Sequence, residues 1–462
     1  MVVSRSFQEI FDSIDINSPL SLPKCKNNVL QIEFTETKTN ETVYNNKPLL
    51  PFAASDIYYS SIINSRRLTA LDSDCKAVYE ISLNIEDSYF IFTPGDTIAI
   101  VPHNKKSEVD FTSKHLDIKE VLYNDYKLSL DSGQKGAKFP AHIPIKSNLY
   151  HVLTHCVDLR AIIKKLFLLA LSTHTKDENE RKIMEYLCSS EGSAAYNTHI
   201  LNKGICILDI FNTFKSCKPP IELLLEYLPR LLPRPYSIVN SQGPVIKICF
   251  SVMEINNRKG LTTGWLEDLI LKNDIESQME KLSLGVTEHK IPIYMRKNMN
   301  EFRPPTSLDT PLILIGPGTG VSPYIGFLEE REKLLKNADS AGFVWLFFGC
   351  RDPKLDFIYE DELNKFVTSG VLSRLSTAFS RHGNPEIRYV QDLVKENGEE
   401  ISKLLVEGAR VYICGDVKIM ANQVKEAFIE CVSKYTNRSI NVAELFISNM
   451  QKEKTFLIDI WN

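Results

Sequence analysis

Three short stretches of this chain carry residue types suited to holding phosphates and a flat ring. In Pro311–Arg331, PLILIGPGTGVSPYIGFLEER, an apolar run meets Gly316, Gly318 and Gly320 and then an amphipathic segment. Glycines there let backbone N–H groups approach an anion, and the helix N-terminus that follows adds its positive dipole end. The spacing is G-x-G-x-G rather than the dinucleotide fingerprint G-x-G-x-x-G, so alone it also reads as a tight turn. In Arg234-Pro235-Tyr236-Ser237 an arginine can neutralise a phosphate, a tyrosine can stack on a planar ring and a serine hydroxyl can face a reacting centre. Alone, such residues also serve as packing and surface. Gly260-Leu261-Thr262-Thr263 is a glycine and hydroxyl turn opening a helix, an anion cradle in form and otherwise a helix cap.

The elements that must position these residues change texture along the chain. Residues 1–47 are scattered polar sequence with one short strand pattern at Val29–Phe34, and read as a tail or linker. From Ala77 to Ile85 apolar residues alternate, which predicts a half-buried strand, and Pro94-Gly95-Asp96 turns it into Thr97–Val101, opening an antiparallel β domain. Between about 148 and 232 the period becomes helical, with Ile162, Leu166 and Leu169 on one stripe, Asp158 placed as an N-cap, and a second helix entered at Pro219-Pro220. Strand signals return at Val245–Ile255, so a helical block interrupts a β domain.

Beyond Pro304-Pro305 the apolar runs Leu312–Ile315, Phe343–Phe348, Leu375–Phe379, Val411–Cys414 and Phe456–Ile460 alternate with helices, which predicts a doubly wound, mainly parallel sheet. Ligands bind at the carboxyl ends of such strands. Gly316, Gly349-Cys350-Arg351, Ser380-Arg381 and Cys414-Gly415-Asp416 all fall there. Ser380 and Arg381 stand where an NAD site would carry an acidic residue, which favours a coenzyme with a 2′-phosphate.

Composition narrows the class. The 462 residues exceed what one core supports, so several domains are expected. Lys+Arg 54 against Asp+Glu 58 gives no nucleic-acid surface. The 10 cysteines include no C-x-x-C pair, which argues against a zinc site or a disulfide framework and fits a reducing, cytoplasmic compartment. No uncharged run is long enough to span a bilayer, and the start has no signal-peptide core. No metal is expected.

Together, RPYS, RKGLTTGWL, GPGTGVSPYIGF, WLFFGCR, AFSR followed by RYVQD, VYICGD and the terminal DIW resemble the reductase half of the diflavin oxidoreductases, and within it the methionine synthase reductase branch. The resemblance covers about nine-tenths of the chain, from Pro48 onward. It implies a ferredoxin reductase-like multi-domain fold. An antiparallel β-barrel FAD domain at 48–305 would carry an inserted α-helical connecting subdomain at about 148–232, and a doubly wound α/β NADPH domain would follow at 306–462. By the same resemblance Arg234, Pro235, Tyr236, Ser237, Cys249, Phe250, Ser251, Gly260, Leu261, Thr262 and Thr263 hold FAD. Gly318, Thr319, Gly320 and Arg351 meet the coenzyme, and Ser380, Arg381, Arg388, Tyr389 and Gln391 surround its 2′-phosphate. Trp461 would stack on the isoalloxazine, while Ser237, Cys414 and Asp459 flank the hydride path.

The basic residue before Tyr389 stands one place closer to it than in the microsomal cytochrome reductases. Nothing before Pro48 offers a glycine–hydroxyl phosphate loop, so the expectation is an NADPH- and FAD-dependent reductase that passes electrons to a separate flavodoxin-like FMN protein or another acceptor. A second reading has it serve a cobalamin-dependent methionine synthase directly. A third, from another class, is a binding protein that kept the fold without the chemistry.

Overall fold

A computed structural model describes residues 19–24, 29–38, 50–72, 75–131, 138–280, 289–338, 340–383, 385–415 and 418–460. The chain divides into two compact units, one of Met1–Leu50, Pro102–Pro233 and Glu254–Thr262, the other of Pro51–Val101, Arg234–Met253 and Thr263–Asn462.

The first unit is mainly helical. Its core gathers Leu168, Leu171, Ile210 and Phe211, all fully buried, from the helices Lys165–Ser172 and Ile207–Thr213. The expected N-cap at Asp158 is instead a turn: its carboxylate accepts the Arg160 N–H at 2.9 Å, and the helix starts at Lys165. Pro220 does precede the helix Ile221–Tyr227, as its fixed φ favours. Strand Leu30–Phe34 pairs antiparallel with Asp125–Leu130, which pairs with Lys146–Asn148, so part of the stretch read as a tail or linker is built into this unit. Five residues of alternating exposure were too short a signal to outweigh their polar surroundings.

The second unit holds two sheets. In the first, six strands run in the order Arg234–Ser237, Thr97–Ile100, Lys290–Met295, Tyr58–Arg67, Val78–Asn84 and Val245–Ser251, every neighbour antiparallel. An isolated antiparallel bridge, Ile238↔Ile248, links the last strand back to the continuation of the first. Val78–Asn84 is buried on both faces rather than half-buried. Ile81 and Leu83 enter the core inside this sheet. Glu80, on the other face, is only 6% exposed and is satisfied by Arg66 Nε at 2.9 Å and the Tyr359 hydroxyl at 2.9 Å. A buried carboxylate needs such partners, and this one ties the antiparallel sheet to the loop before the helix Glu360–Thr368.

The second sheet has five strands, all parallel, ordered Arg374–Phe379, Val344–Cys350, Leu312–Pro317, Arg410–Gly415 and Phe456–Ile460. Continuous burial, as in Leu312–Gly316 and Val344–Gly349, is what helices on both faces of a parallel sheet impose. Val78, Val239 and Cys249 of the antiparallel sheet share a core with Leu314, Tyr324 and Tyr412 of the parallel one. Among the described residues no helix is long and apolar enough to cross a membrane.

Candidate active site

The glycine turn does its work through close approach. A Cβ on Gly320 would lie 2.1 Å from the Cys414 carbonyl oxygen, so only glycine lets the turn Gly318–Val321 pack on the end of strand Arg410–Gly415. The Tyr324 hydroxyl then donates to the Ile315 carbonyl at 3.0 Å and the Tyr412 carbonyl at 2.8 Å, pinning the helix Ser322–Leu335 to two strand ends. Gly318 has φ +55° with open space where a side chain would project, and Thr319 beside it is half-buried. The residues present fit a phosphate cradle open to a ligand.

One cavity, of about 380 Å³, brings the two sheets' functional residues together: Pro235, Tyr236 and Ser237 from the antiparallel sheet and Asp459 and Ile460 from the parallel one. Its floor is the loop after Lys290–Met295. Asn298 Nδ2 donates to the carbonyls of Gly95 and Phe302, Phe302 N–H donates to Asn298 Oδ1 at 2.9 Å, and Arg303 pairs with Asp96 at 2.7 Å. Tyr236 packs edge-on against Phe250, ring centres 6.3 Å apart, and burial pushes its phenol up, so it is a neutral stacking face. Ser237 is 7% exposed and lines the cavity.

Asp459 is half-buried, and burial raises its carboxyl above the usual range while Arg296 opposes that shift. Cys414 is its register partner, fully buried, with its thiol pushed well up by burial and by Asp459 nearby. It is not among the residues that line the cavity, and burial holds its thiol in the neutral form.

The other flavin candidates divide. Phe250 is core, and Cys249 turns its thiol, pushed up to about 12 by burial, toward Ser322 and Tyr359 rather than to the cavity. Its main chain remains to meet a ligand, and Ser251 beyond it is half-buried. Arg234 is half-buried at the start of its strand. Gly260, Leu261 and Thr262 belong to the first unit and Thr263 to the second, at the start of the helix Leu261–Glu280. The Thr262 hydroxyl is buried with no hydrogen-bond partner among the described residues, an orphan that a phosphate oxygen would satisfy.

At the outer edge of the parallel sheet, Ser380 N–H donates to Cys350 O at 3.0 Å and Arg381 N–H to Arg351 O at 2.9 Å, which sets the strand-end residues side by side. Their charges are not equally available. Arg351 is paired with Asp356 at 3.0 Å, and Arg388 donates to the Ser380 carbonyl at 3.2 and 3.0 Å while lying over the Tyr389 ring. Arg381 is exposed and makes no side-chain hydrogen bond or ion pair among the described residues. Gln391 Nε2 donates to Gln423 at 3.2 Å. The donor set fits a phosphate dianion. Trp461 and Asp416 lie outside the described residues.

Sequence reasoning missed Phe52, Thr97, Arg296, Lys297 and Asn298, all lining the cavity. The pair Arg296-Lys297 directly after an apolar strand was the available signal.

Residues 50–265 match the family model for an FAD binding domain, and 314–426 match that for an oxidoreductase NAD-binding domain. The chain is 34% identical over 481 residues to methionine synthase reductase of Rattus norvegicus, covering 98% of this chain and 68% of that protein. The Homo sapiens methionine synthase reductase is 33% identical, with 96% and 66% covered. NADPH–cytochrome P450 reductase of Musca domestica is 32% identical, with 91% and 61% covered. The chain thus spans about two thirds of the length of the first two relatives. With an FAD-binding and an NAD-binding domain in this order and relatives of this identity, the chain belongs to the diflavin reductase family as an NADPH-dependent FAD oxidoreductase similar to methionine synthase reductase.

Proposed function

We propose that this protein takes hydride from NADPH and passes the electrons singly to a protein acceptor carrying FMN. In this reading the closed six-stranded sheet is the FAD-binding barrel of a domain at 48–305, the helical insertion at about 148–232 is its connecting subdomain, and 306–462 binds NADPH. Bound FAD supplies the chemistry of accepting a hydride, a proton with two electrons, and releasing electrons one at a time. The protein's own share is positioning and charge, because hydride moves only between atoms held nearly in contact.

The observation that carries this reading is the cavity in which Ser237 from one sheet and Asp459 from the other face the same space. A carboxylate there stabilises the positive charge that grows on a nicotinamide ring as hydride leaves C4, and the Ser237 hydroxyl donates at the flavin edge. Gly318, Thr319 and Gly320 cradle the coenzyme pyrophosphate, Arg351 meets the coenzyme, and Ser380 and Arg381 take the 2′-phosphate with Arg388, Tyr389 and Gln391 around it. Solitary, mostly buried cysteines fit a reducing cytoplasmic setting.

The test is anaerobic stopped-flow reduction of the FAD-loaded 462-residue chain, followed by turnover with ferricyanide and with added FMN proteins across a salt series. Bleaching of the flavin by NADPH, rapid ferricyanide reduction, and acceptor rates that fall as salt screens the encounter are expected. A chain that binds no flavin would favour the non-catalytic reading. The similarity to methionine synthase reductases favours one second reading, direct delivery to cobalamin-dependent methionine synthase, which adding that enzyme in place of an FMN protein would reveal.

A further inference from the structure

Arg296 is the cation at this cavity that no motif marked. It follows strand Lys290–Met295, its N–H donates to Thr97 O at 3.0 Å, and the bridge Ala53↔Arg296 holds its backbone from the other side. Its guanidinium lies over the Phe52 ring, 5.5 Å from the centre, a cation–π shelf that fixes where the charge points. The other carboxylates near it are engaged elsewhere: Glu301, a few residues further along the same loop, with Lys454, and Asp96, next to its backbone partner Thr97, with Arg303. Among the described residues lining the cavity, Asp459 is the one acid, and Arg296 and Lys297 are the cations.

The groups facing Asp459 leave Arg296 as its counter-charge. From the neighbouring strand comes the Cys414 thiol and from the helix Ser322–Leu335 the Tyr324 hydroxyl, both pushed well up by burial and therefore neutral. The helices on the opposite face of the strand meet Ile458 and Ile460, not Asp459. Lys297 is exposed, and an ammonium in water holds its hydration more strongly than a guanidinium does.

We propose that Arg296 is the positioning residue for Asp459: held on the Phe52 ring, it keeps the carboxylate ionised and directed into the cavity while the nicotinamide ring becomes cationic. The inference rests on the hydride-transfer reading above. A neutral acid at 459 would offer the growing charge nothing, and desolvation alone drives the group toward that state. The guanidinium opposes it across the shared cavity, with no ion pair between the two among the described residues.

The experiment follows hydride transfer from NADPH by stopped flow across pH in the FAD-loaded protein and in Arg296→Gln, Arg296→Lys, Phe52→Leu and Asp459→Asn. The rate should fall on an acid limb. Arg296→Gln should move the midpoint of that limb up by about one pH unit, the effect of removing an opposite charge from the same cavity. Arg296→Lys should hold the midpoint near that of the parent, and Phe52→Leu should shift it part of the way. Calorimetric titration with NADP+ in two buffers of different ionisation enthalpy gives a readout independent of turnover. On binding the cationic ring, Arg296→Gln should release more protons than the parent at the same acidic pH, and Asp459→Asn should release none from this site. If Asp459→Asn abolishes the limb while Arg296→Gln leaves its midpoint and proton count unchanged, the role of Arg296 is overturned and the hydride reading stands. If Asp459→Asn changes neither rate nor limb, the hydride reading fails and takes the inference with it. Should Arg296→Gln not hold flavin, Phe52→Leu and Arg296→Lys decide on the same criteria.

Discussion

The two ends of the proposed coenzyme site are built in opposite ways. The hydride end is assembled before any ligand arrives: Ser237 is buried, Asp459 is fixed in register with Cys414, and the cavity floor is fastened by Asn298 and Arg303. At the 2′-phosphate end two of three arginines are already engaged, Arg351 with Asp356 and Arg388 with the Ser380 carbonyl, and only Arg381 stands exposed without a side-chain partner among the described residues. Preorganised groups act on the transition state with little reorganisation. Engaged arginines must exchange one anionic or carbonyl partner for another, so their net contribution to binding is smaller than their number suggests. Rate should therefore be decided at the cavity and coenzyme choice at Arg381.

The largest effect tests the cavity. Ser237→Ala should slow hydride transfer about 100-fold, the loss expected for one preorganised donor, and equally with NADPH and NADH because the nicotinamide end is common to both. Stopped-flow reduction of the flavin measures it. A loss below about threefold would remove Ser237 from the hydride path.

Next comes discrimination. Arg381→Ala should raise the NADPH KM on the order of 10- to 150-fold, the value of one charge-assisted contact to phosphate at 1.5–3 kcal/mol, with the NADH KM nearly unchanged. Equal losses with both coenzymes would break the contrast between the two ends. Arg388→Ala sharpens it. Because its guanidinium already serves the Ser380 carbonyl, the NADPH KM should rise only about two- to fivefold, the size of a partly offset exposed contact. A loss as large as that of Arg381 would show that Arg388 leaves Ser380 when the phosphate binds.

What the sequence made legible follows the same divide. The five parallel strands could be read because each is a continuous apolar run ending in glycine or polar residues, and their carboxyl ends mark the coenzyme edge whatever the surroundings. Val78–Asn84 was misread as half-buried because its period-two pattern is real, but Glu80 is buried with Arg66 of the neighbouring strand and with Tyr359, far away in sequence. Arg296 escaped notice for a related reason. Its meaning comes from Phe52 and Asp459, both remote from it and from one another in sequence, and no local spacing encodes that meeting. Cys249 shows the converse, a candidate flavin residue whose side chain the fold turns inward to Ser322 and Tyr359.

The smallest expected effect separates stability from function at one residue. Burial raises the Asp459 carboxyl above its ordinary value of 3.8. Between that ordinary value and the raised one, the folded state holds the proton more tightly than the unfolded state, so stability falls as pH rises through the window and stays lower at neutral pH. Asparagine carries no such penalty. Asp459→Asn should therefore melt higher than the parent at pH 7. The gain should vanish below the ordinary carboxylate range, where both forms are neutral. Because Arg296 offsets part of the penalty, the same substitution made in an Arg296→Gln background should gain more. Scanning calorimetry of the four proteins at pH 7 and near pH 3.5 closes the cycle. A protein destabilised at pH 7 by Asp459→Asn would mean that the carboxylate makes a stabilising contact outweighing its burial, and the hydride end would then be a structural site rather than one strained toward its chemistry.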